Sequence, residues 1–535
     1  MRKKHPYPLL KSAKYYSFAE FLDSITAKYK KRTAFTYTEA GTQKRISYLD
    51  FSHHVRSLAN HLRENGYYRT KIAVFGENSY EWIISYLATI LSENTIVPLD
   101  KDLSPAILAE QIAFSDATAF FYSVAYEEKA KQIQKDASNE LQAFCLKDIS
   151  KFFHVPLQTL SKDEMAFTSA PDAPATLVFT SGTTGRTKGV LLSQRNIMSD
   201  VCYSCHYVRF RGTSLVCLPL HHLFSLTASV LCILHDGGTL AINKRLTGLK
   251  KDIQEYRPRS IMLVPALAEG YYKQICNAIE ELPQASALHK RIEICCKLRK
   301  IGIDARRYLL RYPRSVMGGK IDFVITGGAP MHTDCIRGLR ELGIDVLNGY
   351  GITECSPVVS VNRIHDYQDG SVGRVLPCCD VKILNPNEDG EGEVAVRGPT
   401  VMLGYYKNDT ATHEIMEDGW FRTGDLGVLK DGFLFIKGRV KNIIVLSNGK
   451  KIVPEELEED LKDAIPRIQD VVVSAPNDIL TAEMYFGDPP PTNDELPLNK
   501  QIADFNMTQP PYKNIEKIVI REIPFPKTST QKIKR

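Results

Sequence analysis

A chain of 535 residues is too long for one ordinary hydrophobic core, so at least two domains are expected. Hydrophobic residues make up 43% of the chain, which excludes general disorder, and charged residues make up 24%. The 68 basic and 62 acidic residues give a net charge of +6, a bias too weak for a protein organised around nucleic acid.

The N-terminal sequence MRKKHPYPLLKSAK is basic, but no apolar segment follows it, so no secretory signal peptide is predicted. The most apolar stretch, residues 213–234, is interrupted by Pro219, His221 and His222. It therefore predicts a buried strand, a turn and a buried helix, and no membrane span. The protein is expected to be cytoplasmic.

The twelve cysteines are expected to be reduced thiols. Cys202, Cys205 and His206 have the spacing of the haem-attachment motif C-x-x-C-H. That attachment takes place outside the cytosol, so buried structural cysteines are the preferred interpretation.

Helical and strand patterns alternate along the first hundred residues. Helices are predicted at residues 18–29, 46–65 and 80–91, and strands at 71–75 and 95–99. Further apolar runs predict strands at 175–179, 214–218, 260–264, 321–326 and 345–348. This alternation is typical of layered α/β subdomains with parallel strands.

From Gly370 onward, short strands are separated by turn residues, with hairpin signals at Asp389-Gly390 and Asp431-Gly432. This predicts a β-rich subdomain. After residues 437–441 a helix is predicted at 454–464 and strands at 470–475 and 516–522, with a Pro-rich surface loop at 487–497. We therefore predict a large α/β N-terminal domain, residues 1–437, and a small α+β C-terminal domain, residues 438–535.

The most informative segment is LVFTSGTTGRTKG at residues 177–189, where an apolar strand runs into hydroxyl and glycine residues, then a lysine, with a helical pattern next. Glycines let backbone N–H groups point inward, hydroxyls add donors and Lys188 adds a positive charge, which together predict a phosphate-binding loop. It is not a Walker A sequence. The candidate nucleotide ligands are Thr180, Ser181, Gly182, Thr183, Thr184, Gly185 and Lys188.

This loop closely resembles that of the adenylate-forming superfamily, which includes acyl-CoA synthetases, luciferases and peptide-synthetase adenylation domains. Further matches follow in the family's order: GGAP at 327–330, NGYGITE at 348–354, GWFRTGD at 419–425, GRVK at 438–441 and PKTSTQKIKR at 526–535. The segments SPVVSVNR at 356–363 and SNGK at 447–450 are most similar to long-chain fatty-acid–CoA ligases.

The resemblance implies roles for individual residues. Gly328, Ala329, Gly349, Tyr350, Gly351 and Thr353 would bind adenine, and Thr180 and Glu354 the Mg²⁺ ion. Asp425 would accept hydrogen bonds from the ribose hydroxyls, and Arg439 would reach the ribose or a phosphate. Lys441 would be the hinge of a mobile C-terminal domain, Ser447, Asn448 and Gly449 would lie on the CoA side, and Lys532 would be catalytic, as Lys188 would be.

Two positions depart from the family pattern. Thr187 stands where proline is usual, and Gln531 stands where glycine precedes the catalytic lysine. If that position needs positive φ, glutamine costs about 1 kcal/mol or more there, which would affect the placement of Lys532 and so the adenylation rate.

The acyl substrate is expected to be a fatty acid of medium to long chain. Residues 218–226, LPLHHLFSL, contain no acidic side chain that could pair with the ammonium group of an amino acid. His222 and Phe224 instead suit a carboxylate and an apolar chain, and His222 is a third candidate catalytic residue.

Residues 290–320 contain ten Lys or Arg residues against two acids, with apolar residues between them. A solvated helical face is one interpretation, and a basic amphipathic surface for anionic lipid is another. An acidic carrier protein would suit the same surface.

The expected activity is ATP-dependent formation of an acyl adenylate followed by transfer to the thiol of CoA, with ATP, Mg²⁺ and CoA required. The alternatives are an acyl carrier protein as the thiol acceptor, and a nucleotide- or lipid-binding relative without turnover. No nucleic-acid partner is expected.

Overall fold

The computed structural model describes residues 8–39, 41–137, 141–154, 170–181, 187–447, 449–487, 498–527 and 533. Backbone contacts divide the chain into two units. The first comprises Met1–Asp369, Gly373–Asp380 and Val396–Phe421, and the second comprises Gly370–Val372, Val381–Ala395 and Arg422–Arg535. The domain boundary between residues 437 and 438 stays a prediction.

The α-helices within the described ranges are, in chain order, α1 Phe18–Tyr29, α2 Tyr48–Glu64, α3 Tyr80–Leu91, α4 Pro105–Phe114, α5 Glu127–Asp136, α6 Gln194–Ser204, α7 Leu223–Leu226, α8 Cys232–Asp236, α9 Leu249–Tyr256, α10 Pro265–Glu280, α11 Ala285–Lys300, α12 Arg306–Leu309, α13 Arg311–Val316, α14 Thr333–Glu341, α15 Asp409–Ile415, α16 Pro454–Ala464 and α17 Leu498–Thr508. A π-helical turn, Thr227–Leu231, joins α7 to α8. Short 3₁₀ segments include Leu146–His154, Thr353–Cys355 and Val440–Asn442.

The strands are, in chain order, β1 Thr33–Glu39, β2 Thr42–Ser47, β3 Lys71–Phe75, β4 Thr95–Pro98, β5 Ala117–Tyr122, β6 Gln142–Cys145, β7 Pro174–Ser181, β8 Thr187–Ser193, β9 Thr213–Val216, β10 Thr239–Ile242, β11 Ser260–Leu263, β12 Phe323–Gly327, β13 Asp345–Gly351, β14 Val358–Val361, β15 Arg374–Val375, β16 Asp380–Leu384, β17 Gly392–Arg397, β18 Gly404–Tyr405, β19 Met416–Glu417, β20 Trp420–Lys430, β21 Phe433–Arg439, β22 Ile444–Val445, β23 Lys451–Ile452, β24 Asp470–Ser474, β25 Thr481–Tyr485 and β26 Lys517–Ile520.

Two sheets form the first unit. One has the strand order β18-β8-β7-β4-β3-β5-β6, with parallel pairing from β7 to β6 and antiparallel pairing of β8 with both β7 and β18. The other runs β15-β14-β13-β12-β11-β9-β10-β1-β2, and β13 to β1 are parallel. Parallel strands carry apolar residues on both faces because helices cover both sides, so Phe75, Phe120 and Leu177 are fully buried. The predicted layered α/β class is confirmed.

The second unit contains the predicted β-rich segment. Strands β16, β17, β20 and β21 are neighbours in that order, and Asp431-Gly432 joins β20 to β21. Both turn residues have positive φ, +52° and +79°, as a two-residue hairpin requires. A three-stranded sheet, β24-β25-β26, follows. Helix α16 contributes Leu457 and Leu461 to the apolar core of this part.

Several boundaries differ from those predicted. The helix expected at 46–65 begins at Tyr48, because residues 46 and 47 pair with β1 in the edge strand β2. Ser47 caps the helix through its hydroxyl, which accepts from the backbone of Asp50 at 3.1 Å. The predicted loop at 487–497 lies outside the described residues apart from Gly487.

The apolar stretch 213–234 forms strand β9, a turn and a buried helical segment, as predicted. No helix in the described ranges is both long and apolar enough to cross a membrane. All twelve cysteines are free thiols. Cys202 lies within helix α6, Cys205 directly follows the helix, and both are buried. Their burial is as predicted.

Candidate active site

Strands β7 and β8 frame the predicted phosphate loop. They pair antiparallel with Thr180 opposite Lys188 and Phe179 opposite Gly189, while Gly182, Thr183, Thr184 and Gly185 lie outside the described residues. The predicted helix follows as α6, but it begins only at Gln194, because Lys188 lies within strand β8, which the sequence did not predict. The valines and leucines after Gly189 favour the strand, and Ser193 caps the helix.

Tyr405 joins two of the predicted site residues. The Lys188 ammonium lies 4.6 Å from the centre of the Tyr405 ring, and the Tyr405 hydroxyl donates a hydrogen bond of 2.9 Å to Oε1 of Glu354. Burial, together with the negative charge of Glu354, raises the pKa of Tyr405, so the phenol stays protonated and remains a donor. Tyr405 therefore positions a cation on its ring face and a carboxylate at its hydroxyl.

Backbone pairing fixes this tyrosine in place. Strand β18 pairs with β8, so that Tyr405 lies opposite Val190, and Tyr406 N donates to the Gly189 carbonyl at 2.8 Å. The lysine and the tyrosine thus sit on adjacent strands of one sheet, and their separation is set by the sheet.

Glu354 occupies a tight turn after strand β13. Its side chain is buried, and its carbonyl accepts from the backbone N–H of Met402 at 2.8 Å. Ser356, two residues later, adopts φ +75° and donates from Oγ to the Thr400 carbonyl at 2.7 Å. These contacts hold the backbone of the Glu354 turn against the segment that leads to Tyr405. Thr180, Lys188 and Glu354 therefore belong to one region of the first unit.

Tyr350 lies on strand β13 between two glycines. A side chain at Gly351 would meet the Pro357 carbonyl at 2.2 Å, and one at Gly349 would meet the Ser360 carbonyl at 3.1 Å. The neighbouring backbone therefore requires glycine at position 351, and it leaves little room for a side chain at position 349. Tyr350 itself is half-buried and pairs with Ser360.

The other predicted adenine residues surround the ends of the same strands. Gly328 follows strand β12 with φ +85° and is exposed, and Ala329 beside it is half-buried. Thr353 is half-buried in the turn that carries Glu354. Carboxyl ends of parallel strands are the usual ligand-binding edge of an α/β sheet.

The segment predicted to meet the acyl group is anchored by Asn78. Its amide donates to the Leu218 carbonyl at 3.0 Å, and its oxygen accepts from Leu220 N at 3.1 Å. His222 and Phe224 are both half-buried, and the π-helical turn that follows is a feature frequent at functional sites.

His221 and Asp100 form a second polar pair beside this segment. The His221 ring lies 4.1 Å from that of His222, and its Nε2 is 3.6 Å from Oδ2 of Asp100. Burial lowers the pKa of His221, so its neutral form is favoured.

Asp425 and Arg439 form an ion pair in the second unit. They are opposite each other on strands β20 and β21, with Nε of Arg439 2.7 Å from Oδ1 of Asp425. Asp425 is buried, and its backbone N–H donates to the Thr423 hydroxyl at 3.1 Å.

The remaining predicted residues lie further along the second unit. Lys441 is exposed in a 3₁₀ turn, Ser447 N donates to Oδ1 of Asp478 at 3.2 Å, and Gly449 is exposed with φ +77°. Asn448, Gln531 and Lys532 lie outside the described residues.

Sequence reasoning missed Tyr405, Asn78 and Asp100. A tyrosine after a glycine carries no charge pattern, and its importance arises from pairing with a strand more than two hundred residues earlier in the chain. The doublet Gly404-Tyr405, following Pro399, is a weak turn-and-strand signal. Only the fold brings these residues to the site.

Comparison with known proteins adds an independent finding. A family model described as AMP-binding enzyme matches residues 22–406. The long-chain-fatty-acid–CoA ligase FadD15 of Mycobacterium bovis is 29% identical over 75% of this chain and 70% of its own length. FadD15 of Mycobacterium tuberculosis is 33% identical over 56% of this chain, and mouse long-chain-fatty-acid–CoA ligase 6 is 28% identical over 72%. The match covers about half, 52%, of the Mycobacterium tuberculosis ligase and 61% of the mouse ligase.

Solved structures share the fold across nearly the whole chain. A Mycobacterium tuberculosis fatty acyl CoA synthetase matches with a TM-score of 0.68 and 22% identity, covering 97% of this chain and 96% of its own. ATP-bound MatB from Rhodopseudomonas palustris matches with a TM-score of 0.77 and 21% identity, covering 96% and 97%.

Proposed function

This chain belongs to the family of AMP-binding enzymes, and from that premise we propose that it is an AMP-forming fatty-acid–CoA ligase. The observation that carries the proposal is the joint placement of Lys188 and Glu354 on the two ends of Tyr405. A cation and a buried carboxylate beside a glycine- and hydroxyl-rich loop suit a triphosphate with its metal ion.

The first half-reaction would join the fatty acid to AMP. A carboxylate oxygen attacks the α-phosphorus of ATP, the bond to the bridging oxygen of the β-phosphate breaks, and pyrophosphate leaves. An ionised carboxylate is itself the nucleophile at neutral pH, so the protein needs no covalent catalyst. Its task is to align the reactants and to stabilise the growing negative charge through Lys188 and, by the family resemblance, Lys532.

Mg²⁺ fits the oxygen donors available. Glu354 offers a buried carboxylate and Thr180 a hydroxyl at the end of strand β7, and hard oxygen donors are what this ion prefers. We propose these two residues as its protein ligands. When bound, the ion would neutralise charge on the phosphate oxygens.

Nucleoside-binding roles follow from the sequence motifs that resemble those of the family. We propose that Tyr350 stacks on adenine, with Gly328, Ala329, Gly349, Gly351 and Thr353 around it. Asp425 would accept hydrogen bonds from the ribose hydroxyls, and Arg439 would reach the ribose or a phosphate. The ion pair between Asp425 and Arg439 supports neighbouring roles for these two residues, since it holds their side chains together.

The second half-reaction would transfer the acyl group to CoA. The thiol loses its proton, its sulfur attacks the acyl carbonyl, and AMP leaves to give the thioester. We propose that Ser447, Asn448 and Gly449 contact CoA, and that residues 438–535 rotate about Lys441 between the half-reactions. The exposed position of Lys441 in a short turn suits a pivot.

A fatty acid is the acid best supported. The curated relatives compared above are named as long-chain-fatty-acid–CoA ligases. Residues 218–226 offer His222 and Phe224 toward a carboxylate and an apolar chain, with no acidic residue of their own. Twelve free cysteines fit a reducing compartment such as the cytoplasm.

One substrate panel tests this proposal. Pyrophosphate release is measured with fatty acids of increasing length, with and without CoA, and then with an acyl carrier protein that bears phosphopantetheine. Fatty-acid-dependent release and a thioester formed only with CoA are the expected results. A thioester formed only on the carrier protein would change the acceptor, and no release with any acid would indicate a binding protein without turnover.

A further inference from the structure

Helix α11 (Ala285–Lys300) presents one face to the interior and the opposite face to solvent. Leu288 and Cys295 are buried on the inner face. Lys290, Ile294 and Lys297 follow one another at spacings of four and three residues, so they form a stripe along the outer face. All three are exposed.

Large exposed apolar side chains occur on this helix and in the residues that follow it. Ile294 is 48% exposed, Ile301 71%, Ile303 53% and Tyr308 72%. Single exposed apolar residues are ordinary on protein surfaces, whereas four of them within residues 294–308 make this segment a candidate interaction surface. We name Lys290, Ile294, Lys297, Lys300, Ile301 and Ile303 the α11 surface.

The basic residues of this region fall into two classes, buried and exposed. Arg306 is buried and paired with Asp304 at 2.6 Å and Asp345 at 3.0 Å, and Arg314 is buried and donates to the Ile321 carbonyl. These arginines stabilise the fold. The lysines of the α11 surface are exposed and enter no ion pair in the described part of the chain, so their charge is available to a partner.

We propose that the α11 surface docks on a membrane surface that contains anionic lipid. Lysines that flank exposed aliphatic and aromatic side chains are typical of interfacial membrane binding, because the ammonium groups meet lipid phosphates while the apolar groups enter the boundary layer. Protein–protein interfaces are instead depleted in lysine at their centre, which disfavours an acidic carrier protein here. This proposal does not rest on the proposed function.

Co-sedimentation of the full chain with vesicles tests it. Vesicles of phosphatidylcholine alone are compared with vesicles that contain about 30% phosphatidylglycerol, at low and high salt. The charge variant is Lys290→Gln, Lys297→Gln and Lys300→Gln together. The matched control, Lys44→Gln, Lys135→Gln and Lys147→Gln, removes three exposed lysines elsewhere on the same unit.

We expect the wild type and the control to bind only the anionic vesicles, more weakly at high salt. The charge variant should lose about a hundredfold in partitioning, from about fivefold for each of the three lysines. A second variant, Ile301→Ser with Ile303→Ser, should lose about tenfold in partitioning onto the anionic vesicles. Its binding should remain as salt-sensitive as that of the wild type, and its thermal midpoint should be unchanged. Equal loss in the control, or undiminished binding of the charge variant, overturns the proposal. So does binding of a purified acyl carrier protein, lost in the charge variant, without any binding to vesicles.

Discussion

Replacing Tyr405 by phenylalanine removes one hydroxyl and leaves the aromatic ring beneath Lys188. The lost hydrogen bond is 2.9 Å long and reaches a buried carboxylate, Glu354. A hydrogen bond to a charged group contributes about 1.5–3 kcal/mol. Because about 1.36 kcal/mol corresponds to a tenfold change in rate, adenylation should fall about 10- to 150-fold if the bond serves the transition state.

The assay is pyrophosphate release at a series of Mg²⁺ concentrations. Tyr405→Phe should need more Mg²⁺ for half-maximal rate, since the carboxylate that we assign to the ion is less firmly oriented. The matched control is Tyr406→Phe, which also removes a phenol hydroxyl, but one that donates to Asp116 at 2.6 Å. It should keep a normal Mg²⁺ response.

Two outcomes would refute the reasoning on Tyr405. One is a normal rate and Mg²⁺ dependence in folded Tyr405→Phe, and the other is an equal loss in Tyr406→Phe. A double variant with Glu354→Gln gives a further check. Its loss should be much smaller than the product of the two single losses, because both substitutions remove the same interaction.

The other predictions concern the charged residues and the two half-reactions. Lys188→Ala should lower ATP-dependent adenylation by roughly 100- to 1,000-fold in a folded protein, because a positive charge at the phosphates is lost. Unaltered ATP kinetics would exclude Lys188 from the site. Glu354→Gln keeps the side-chain shape and should make adenylation slow and nearly insensitive to added Mg²⁺; a normal metal response would place the ion elsewhere. Lys532→Ala should block acyl-adenylate formation yet still convert supplied acyl adenylate and CoA to thioester. Lys441→Pro restricts φ and removes a backbone N–H, so this variant should form the acyl adenylate but transfer the acyl group to CoA slowly. Loss of the same half-reaction in Lys532→Ala and Lys441→Pro would contradict a rotating domain.

Local sequence signals predicted the elements that local forces determine. Helix α16 was predictable at both ends because a proline and glutamates begin it and its leucines recur at helical spacing. The Asp431-Gly432 hairpin was equally clear. Strand β8 was not, because serine, glycine and apolar residues before a helix resemble the start of that helix, and only pairing with β7 makes it a strand.

The candidate site divides in the same way. Lys188, Glu354 and Asp425 are polar residues in glycine-rich motifs, and such motifs can be recognised without a structure. Tyr405 and Asn78 act through partners that are distant in sequence, and their contacts depend on how strands are ordered in the sheet. Nothing in their neighbouring residues indicates these partners.

The most direct test of the proposed reaction follows one oxygen atom. The enzyme is incubated with ATP, Mg²⁺, CoA and a fatty acid whose carboxyl group carries heavy oxygen (oxygen-18). The masses of the products are then measured by mass spectrometry. Attack of the carboxylate on the α-phosphorus predicts AMP that contains one heavy oxygen, unlabelled pyrophosphate, and acyl-CoA. Unlabelled AMP, or ADP and phosphate as products, would contradict an acyl-adenylate intermediate.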